Sequence, residues 1–240
     1  MKAQQRHQLK QNDFVATMAR VMAVVTEHRD RIVLGGAVAL LALAIGGGYL
    51  WWRQHTNDQA GALFGTAMAI TEAPIAPPPT VPGAHQAPGT YPSDHARQEA
   101  ALQAFEQVAS TYPATDSGLA ATYHIGAALL ALGRFGEAEQ AFQDVIARGG
   151  TSLYTSASRM GLAETFAAEN QYDKAIKAYT DLAAQRDGGL PVDGVLMQLA
   201  RVCLKAGKTE DARAAFKRIV DEFPDSSFVA QAKQQLALLS

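Results

Sequence analysis

Residues 136–150 of this 240-residue chain are GEAEQAFQDVIARGG, and residues 173–187, which begin 37 positions later, are DKAIKAYTDLAAQRD. The same pattern returns as EDARAAFKRIVDEFP at 210–224 and precedes both as EAALQAFEQVASTYP at 99–113. All four segments place alanine, an aromatic residue and an aliphatic residue at equivalent positions. A fixed period of this length is typical of repeat architectures in which each unit is one supersecondary element.

Three apolar columns run through the four segments at helical spacing. Positions i, i+4 and i+7 share one face of a helix, so each segment predicts a helix that packs through a small and an aromatic side chain. The columns are Ala101, Ala138, Ala175 and Ala212; then Phe105, Phe142, Tyr179 and Phe216; then Val108, Val145, Leu182 and Ile219.

A second helix is predicted upstream of each of the later segments. Each carries one small residue at the same period, and a turn residue suited to left-handed backbone then separates the two helices. The small residues are Gly126, Ala163 and Ala200, and the turn residues are Gly133, Asn170 and Gly207. The sequence therefore predicts an all-α fold of helical hairpins that bury their apolar faces by stacking into a solenoid.

These residues resemble tetratricopeptide repeats over 93–240. The small residue Gly126, the pair Ala138 and Phe142, and the closing proline Pro224 match that family, whereas Thr122, Arg159 and Leu196 stand where its tryptophan is expected. The resemblance implies a C-terminal capping helix within 226–239. It also implies a concave groove lined by the first helix of each hairpin.

The groove predicted from this resemblance is a protein-binding surface. Methionine and tyrosine there suit adaptable contact with varied apolar segments, although Met160 and Met197 could instead pack against the loop 73–92 or a neighbouring repeat. The groove candidates are Tyr123, Ala127, Leu130, Met160, Glu164, Ala167, Met197, Arg201 and Leu204.

The stretch 32–52 contains no ionisable side chain except the phenol of Tyr49. As a helix it would span about 31 Å, close to the thickness of a bilayer's hydrocarbon core. Tyr49, Trp51 and Trp52 at its end are typical of a lipid–water boundary. The stretch is therefore predicted to be a transmembrane helix; a signal peptide cleaved near residues 42–44 is the alternative.

The charges on either side of this stretch predict an orientation. Residues 1–31 carry six basic and three acidic side chains, whereas residues 54–240 carry 14 basic and 20 acidic ones. The positive-inside rule then predicts a single-pass protein of the plasma (inner) membrane, with a cytoplasmic N-terminus and extracytoplasmic repeats. The basic leader 1–31 is expected to form an amphipathic helix against lipid or a partner, with Phe14, Met18, Val21 and Val25 on its apolar face.

The segment between this stretch and the repeats is predicted to have two parts. Residues 53–72 form the first repeat helix, for which Thr56 and Gln59 provide a capping box. Residues 73–92 hold seven of the ten prolines and are expected to form a loop.

This layout resembles the ancillary subunits of the bacterial Sec translocon, whose repeat domain is related to that of the cell-division coordinator. The resemblance implies translocon subunits, periplasmic chaperones or exported polypeptides as partners, and the bilayer as the support for residues 32–52. A structural adaptor with one fixed partner in the cell envelope or the division machinery is the alternative.

Catalytic motifs are missing from the sequence. It contains no phosphate-binding glycine loop, HExxH motif or serine elbow, so no catalytic, metal-binding or cofactor-binding residue is predicted and the chain is not expected to be an enzyme. The single cysteine, Cys203, lies at an apolar helix position. His85 and His95 remain the only hint of a hidden metal-dependent activity. The near-neutral net charge of −2 argues against nucleic acid as a partner.

Overall fold

The computed structural model describes residues 22, 29–78, 86–185 and 189–239, with the side chains of 29–33, 35–37 and 39 outside that description. The chain divides into two compact units, 1–55 and 56–240. The predicted leader helix and its apolar positions at 14, 18, 21 and 25 lie outside the described residues.

Helix α1 is continuous from Arg29 to Thr71. Thr56 was expected to begin a helix but lies inside α1, because no proline between Trp52 and Asp58 breaks the hydrogen bonds of the preceding turn. Every described side chain from Leu40 to Trp52 is exposed, and the large apolar ones are 57–72% exposed.

Among the described residues, no helix is both long enough and apolar enough to cross a membrane. Six residues of the stretch 32–52 have side chains outside the description, so the transmembrane helix stays a prediction.

Eight further helices lie in the described part of unit 56–240, and each packs against the next along the chain. They are α2 (Asp94–Thr111), α3 (Asp116–Ala131), α4 (Phe135–Arg148), α5 (Leu153–Ala168), α6 (Tyr172–Ala184), α7 (Val192–Lys205), α8 (Thr209–Glu222) and α9 (Val229–Leu238). Helices α3 to α8 form three consecutive hairpins. Helix α9 follows the last hairpin, at the place predicted for a capping helix. The prediction of an all-α solenoid is therefore confirmed for the described residues.

The three apolar columns form the core of this solenoid, as predicted. Eleven of the twelve side chains are at most 1% exposed, and Leu182 is 7% exposed. Fully burying an aliphatic or aromatic side chain of the size found in the second and third columns stabilises the fold by about 1.5–3 kcal/mol. The sequence therefore repeats because the same packing interaction is made in each of the four segments.

The turns inside the three hairpins share one geometry. Gly133, Asn170 and Gly207 have φ values of +74°, +61° and +72°, the left-handed conformation predicted for them. In each turn the next backbone N–H donates to a carbonyl five residues earlier, at 2.8–2.9 Å. These bonds satisfy carbonyls that the helix end would otherwise leave unpaired.

The proline-rich loop has a fixed base. The backbone N–H of Ala76 donates to the carbonyl of Tyr91 at 2.9 Å, and the N–H of Tyr91 donates to the carbonyl of Pro74 at 3.1 Å. The side-chain amide of Gln86 also donates to the carbonyl of Ala76, at 2.8 Å. The two ends of the loop are therefore held together beside the start of α2.

Ser158 of α5 provides a first test of the packing. Its side chain is fully buried and its hydroxyl has no hydrogen-bond partner. We expect Ser158→Ala to raise the free energy of unfolding by about 1 kcal/mol, because an unpaired buried hydroxyl costs about 1–3 kcal/mol. The measurement is urea unfolding followed by circular dichroism.

Thr165 supplies the matched control for this substitution. It is equally buried on the same helix, but its hydroxyl donates to the carbonyl of Gly161 at 2.8 Å. Thr165→Val is expected to lower stability by about 1 kcal/mol, because it removes a satisfied hydrogen bond. Equal losses from both variants would contradict the assignment of Ser158 as unpaired.

Candidate functional site

Two cavities lie along the first helices of the hairpins. Cavity A, of about 350 Å³, lies between α3 and α5. Its lining residues are Tyr123, Ala127, Leu130, Ala131, Phe142, Ala157, Met160, Gly161, Glu164 and Leu190. Cavity B, of about 650 Å³, lies between α5 and α7 and is bordered by α9. Its lining residues are Glu164, Ala167, Ala168, Tyr179, Met197, Gln198, Arg201, Val202, Leu204, Lys205, Phe216, Gln231 and Gln235.

The predicted groove residues all line one of these cavities. Tyr123, Ala127, Leu130 and Met160 line cavity A; Ala167, Met197, Arg201 and Leu204 line cavity B; Glu164 lines both. The described parts of the loop 73–92 line neither cavity. The sequence period therefore brings the candidates together, whereas their role in binding a protein stays a prediction.

Met197 differs from the expectation of a groove-facing side chain. It is only 1% exposed and belongs to the apolar cluster that also contains Ala232 of α9. Its packing against neighbouring helices corresponds to the alternative weighed from the sequence. Of the larger apolar side chains in this set, Leu130 and Met160 in cavity A and Leu204 in cavity B are half-buried, so a partner could reach them.

Of the described lining residues, Glu164 is the one that the two cavities share. It is half-buried in α5, and burial raises the pKa of its carboxyl. No ion pair among the described residues includes it. Its charge in turn raises the pKa of Tyr123, after the larger effect of burial on that phenol.

An aromatic cluster stands beside cavity A. The His124 ring stacks on Phe105 with centroids 4.8 Å apart, and it also meets the rings of Phe64, Tyr123 and Tyr154 at 5.1–6.5 Å. Tyr123 meets Tyr154 at 5.7 Å. Periodicity does not reveal this cluster, because its members come from four helices and only Phe105 belongs to a repeat column.

Phe142 forms the base of cavity A between two glycines. A Cβ atom at Gly126 would lie 2.7 Å from its ring, and one at Gly161 would lie 2.5 Å from it. Gly126 was predicted as a small packing position. Gly161 was missed, because the equivalent positions of the neighbouring repeats hold His124 and Gln198 and show no small-residue column.

His124 leads to a testable pH dependence. Burial lowers its pKa below the ordinary value of 6.5, so the unfolded chain binds more protons than the folded chain just below that pH. This contribution to stability is complete above pH 6.5 and is lost as the pH falls from there through the folded-state pKa. We expect the wild-type chain to lose more stability between pH 8 and pH 5 than His124→Phe does, measured by urea unfolding at both pH values.

The control for this experiment is His95→Phe, at an exposed position of α2 outside the aromatic cluster. If His124→Phe loses as much stability on acidification as His95→Phe, the assignment of the effect to His124 is wrong.

The remaining sequence candidates are placed as follows. Cys203 is fully buried in the core, and burial raises the pKa of its thiol. His95 is exposed, and His85 lies outside the described residues. Within the described part of the chain, no three His, Cys, Asp or Glu side chains come together as metal ligands would.

Comparisons with known structures give the fold. A Podosopora anserina protein, described as a kinesin light chain with nearly identical TPR-like repeats, superimposes with a TM-score of 0.57 at 16% identity. The match covers 76% of this chain and 86% of that one. A variant of the same protein gives a TM-score of 0.56 at 16% identity, over 77% and 86% of the two chains. At this identity the likeness shows the solenoid alone.

Comparisons at the sequence level give the family. No curated protein matches the chain. The tetratricopeptide repeat model matches residues 166–236, and the tetratricopeptide repeat-like domain model matches residues 25–188. Repeats of this kind imply a protein–protein interaction scaffold. Since the second match covers more than half of the sequence, the chain belongs to the tetratricopeptide repeat-like domain family.

Proposed function

We propose that this chain is a membrane-anchored, non-catalytic scaffold whose groove holds segments of other proteins. The observation that carries the proposal is the pair of adjoining cavities on the first helices of the hairpins, which share Glu164. Small apolar and methionine side chains there offer contact area without demanding one partner sequence.

The partners we propose are Sec translocon subunits, periplasmic chaperones or exported polypeptides. The layout of basic leader, apolar stretch and repeats supports this proposal through its resemblance to ancillary translocon subunits. An adaptor with one fixed partner in the cell envelope or the division machinery is the second candidate.

The anchor we propose is the stretch 32–52, inserted once in the plasma (inner) membrane with the N-terminus cytoplasmic and the repeats outside. Two observations support it: the absence of charged side chains from the stretch, and the exposure of the large described apolar side chains from Leu34 to Trp52. So large an exposed apolar surface is costly in water. The asymmetry of basic residues supports the orientation.

The anchor is tested by extracting membranes with alkaline carbonate. The full chain is expected to stay in the membrane pellet, and a variant lacking 32–52 is expected to be released. Release of the full chain would overturn the anchor while leaving the groove proposal intact.

The groove is tested by photo-crosslinking in intact membranes, with probes at Met160 and Leu204 and a control probe at Lys217, exposed on α8 and outside both cavities. Capture of translocon subunits, chaperones and varied exported chains from the groove probes alone supports the secretion role. One stoichiometric partner supports the adaptor. Equal capture from groove and control probes, or none, would overturn the groove as a binding surface.

A further inference from the structure

Cavity A has a charge pattern that selects among possible occupants. Among the described residues that line it, Glu164 alone is charged, and the others are apolar apart from the hydroxyl of Tyr123. Burying a carboxylate without a partner is costly, and a cation brought by a ligand would offset that cost.

Cavity B has the opposite character. Arg201 and Lys205 line it together with Glu164, and the Arg201 guanidinium donates to the side-chain oxygen of Gln231 at 3.3 Å. These two cations disfavour a basic side chain in cavity B. A cation that approaches Glu164 is therefore directed into cavity A.

The walls of cavity A fit a planar cation better than a compact one. Tyr123 and Phe142 line it beside Glu164, and their rings lie 6.0 Å apart. A guanidinium stacks on aromatic rings, forms two parallel hydrogen bonds with a carboxylate and is more weakly hydrated than an ammonium group.

We propose that cavity A accepts an arginine side chain of a bound polypeptide, whose guanidinium pairs with Glu164 and stacks on Tyr123. The inference rests on the proposed function, because it names the chemistry of the segment that the groove holds. It assigns Glu164 as the residue that gives the groove a preference for basic segments.

The test uses three peptides that differ only in their central residue. Each is a nonapeptide of alanine and leucine with arginine, norleucine or glutamate at position five, labelled with a fluorophore and titrated with the full chain in mild detergent. Fluorescence anisotropy is expected to show at least tenfold tighter binding of the arginine peptide than of the norleucine peptide. The glutamate peptide is expected to bind most weakly.

Two variants assign the preference to the carboxylate. Glu164→Gln is expected to lower the affinity for the arginine peptide about tenfold and to change the affinity for the norleucine peptide by no more than about twofold. Glu106→Gln, the same change at an exposed position of α2 that lines neither cavity, is expected to change neither affinity. Circular dichroism checks that both variants are folded.

The pH dependence provides a second readout. The arginine peptide needs an ionised Glu164, so its binding is expected to weaken as the pH falls toward the raised pKa of that carboxyl. Binding of the norleucine peptide is expected to stay constant over the same range.

The possible failures are distinguishable. Equal affinity for the arginine and norleucine peptides, or equal weakening of both by Glu164→Gln, would overturn the arginine site while the groove still binds peptide. No binding of any of the three peptides would overturn the arginine site and would count against the proposed function as well.

Discussion

Phe142→Ala is expected to lower the free energy of unfolding by about 3–5 kcal/mol, because it removes a fully buried ring and leaves a cavity in its place. The Phe142 side chain is 1% exposed and lies against α3 and α5 through Gly126 and Gly161. Both neighbours lack side chains that could move into the space. Urea unfolding followed by circular dichroism measures the loss.

The control for this prediction is Phe135→Ala on the same helix. Phe135 is half-buried at the start of α4 and belongs to none of the apolar core clusters. Phe135→Ala is expected to lower the free energy of unfolding by less than half as much as Phe142→Ala. Similar losses from the two variants would show that Phe142 is not the central packing residue of its hairpin.

Gly118→Ala is the second large effect, with an expected loss of about 3 kcal/mol or more. A Cβ atom at Gly118 would overlap the backbone carbonyl oxygen of Tyr112. That oxygen cannot easily shift, because it already accepts from the N–H and the hydroxyl of Thr115, at 3.2 and 2.9 Å. The turn between α2 and α3 therefore has to open before a methyl group fits.

Gly136→Ala is the matched control for this change. Gly136 also lies in the first turn of a helix, and a Cβ there would meet nothing within 4 Å. Alanine is therefore expected to be neutral or to stabilise by up to about 1 kcal/mol, since it restricts the unfolded chain. A comparable loss of stability from Gly136→Ala would mean that glycine is needed at these helix starts for its backbone conformation, and that the contact with Tyr112 does not explain the effect at Gly118.

Much of the solenoid could be predicted because each hairpin repeats the same contacts. The 37-residue period located the core column that includes Phe142 and the left-handed turn at Asn170, both of which recur in every copy. Residues whose role differs between copies leave no such signal. Gly161 and Gly118 are of this kind. Gly161 leaves room for the ring of Phe142 and Gly118 leaves room for the backbone carbonyl of Tyr112, and each of these close contacts occurs at one place only among the described residues.

The groove shows the same difference between features that periodicity predicts and features that depend on tertiary packing. Periodicity placed Tyr123, Met160 and Met197 in equivalent positions, and all three line the cavities. Periodicity could not show that Met197 is buried. Met197 belongs to the apolar cluster that also includes Ala232 of α9, and α9 has no counterpart beside the other described hairpins. That no cation among the described residues pairs with Glu164 is likewise a tertiary property, since it depends on which charges the other helices bring near it.

The closed base of the proline-rich loop makes that loop a natural insertion point. Hydrogen bonds between Ala76, Pro74 and Tyr91 hold its two ends together regardless of what lies between them. Since each doubling of the length of an inserted flexible chain costs only about 0.6 kcal/mol in loop-closure entropy, a tag or a small domain inserted between Ala76 and Gln86 would add little strain to the repeats. Evolution could lengthen or replace this segment for the same reason, without altering the stacked hairpins.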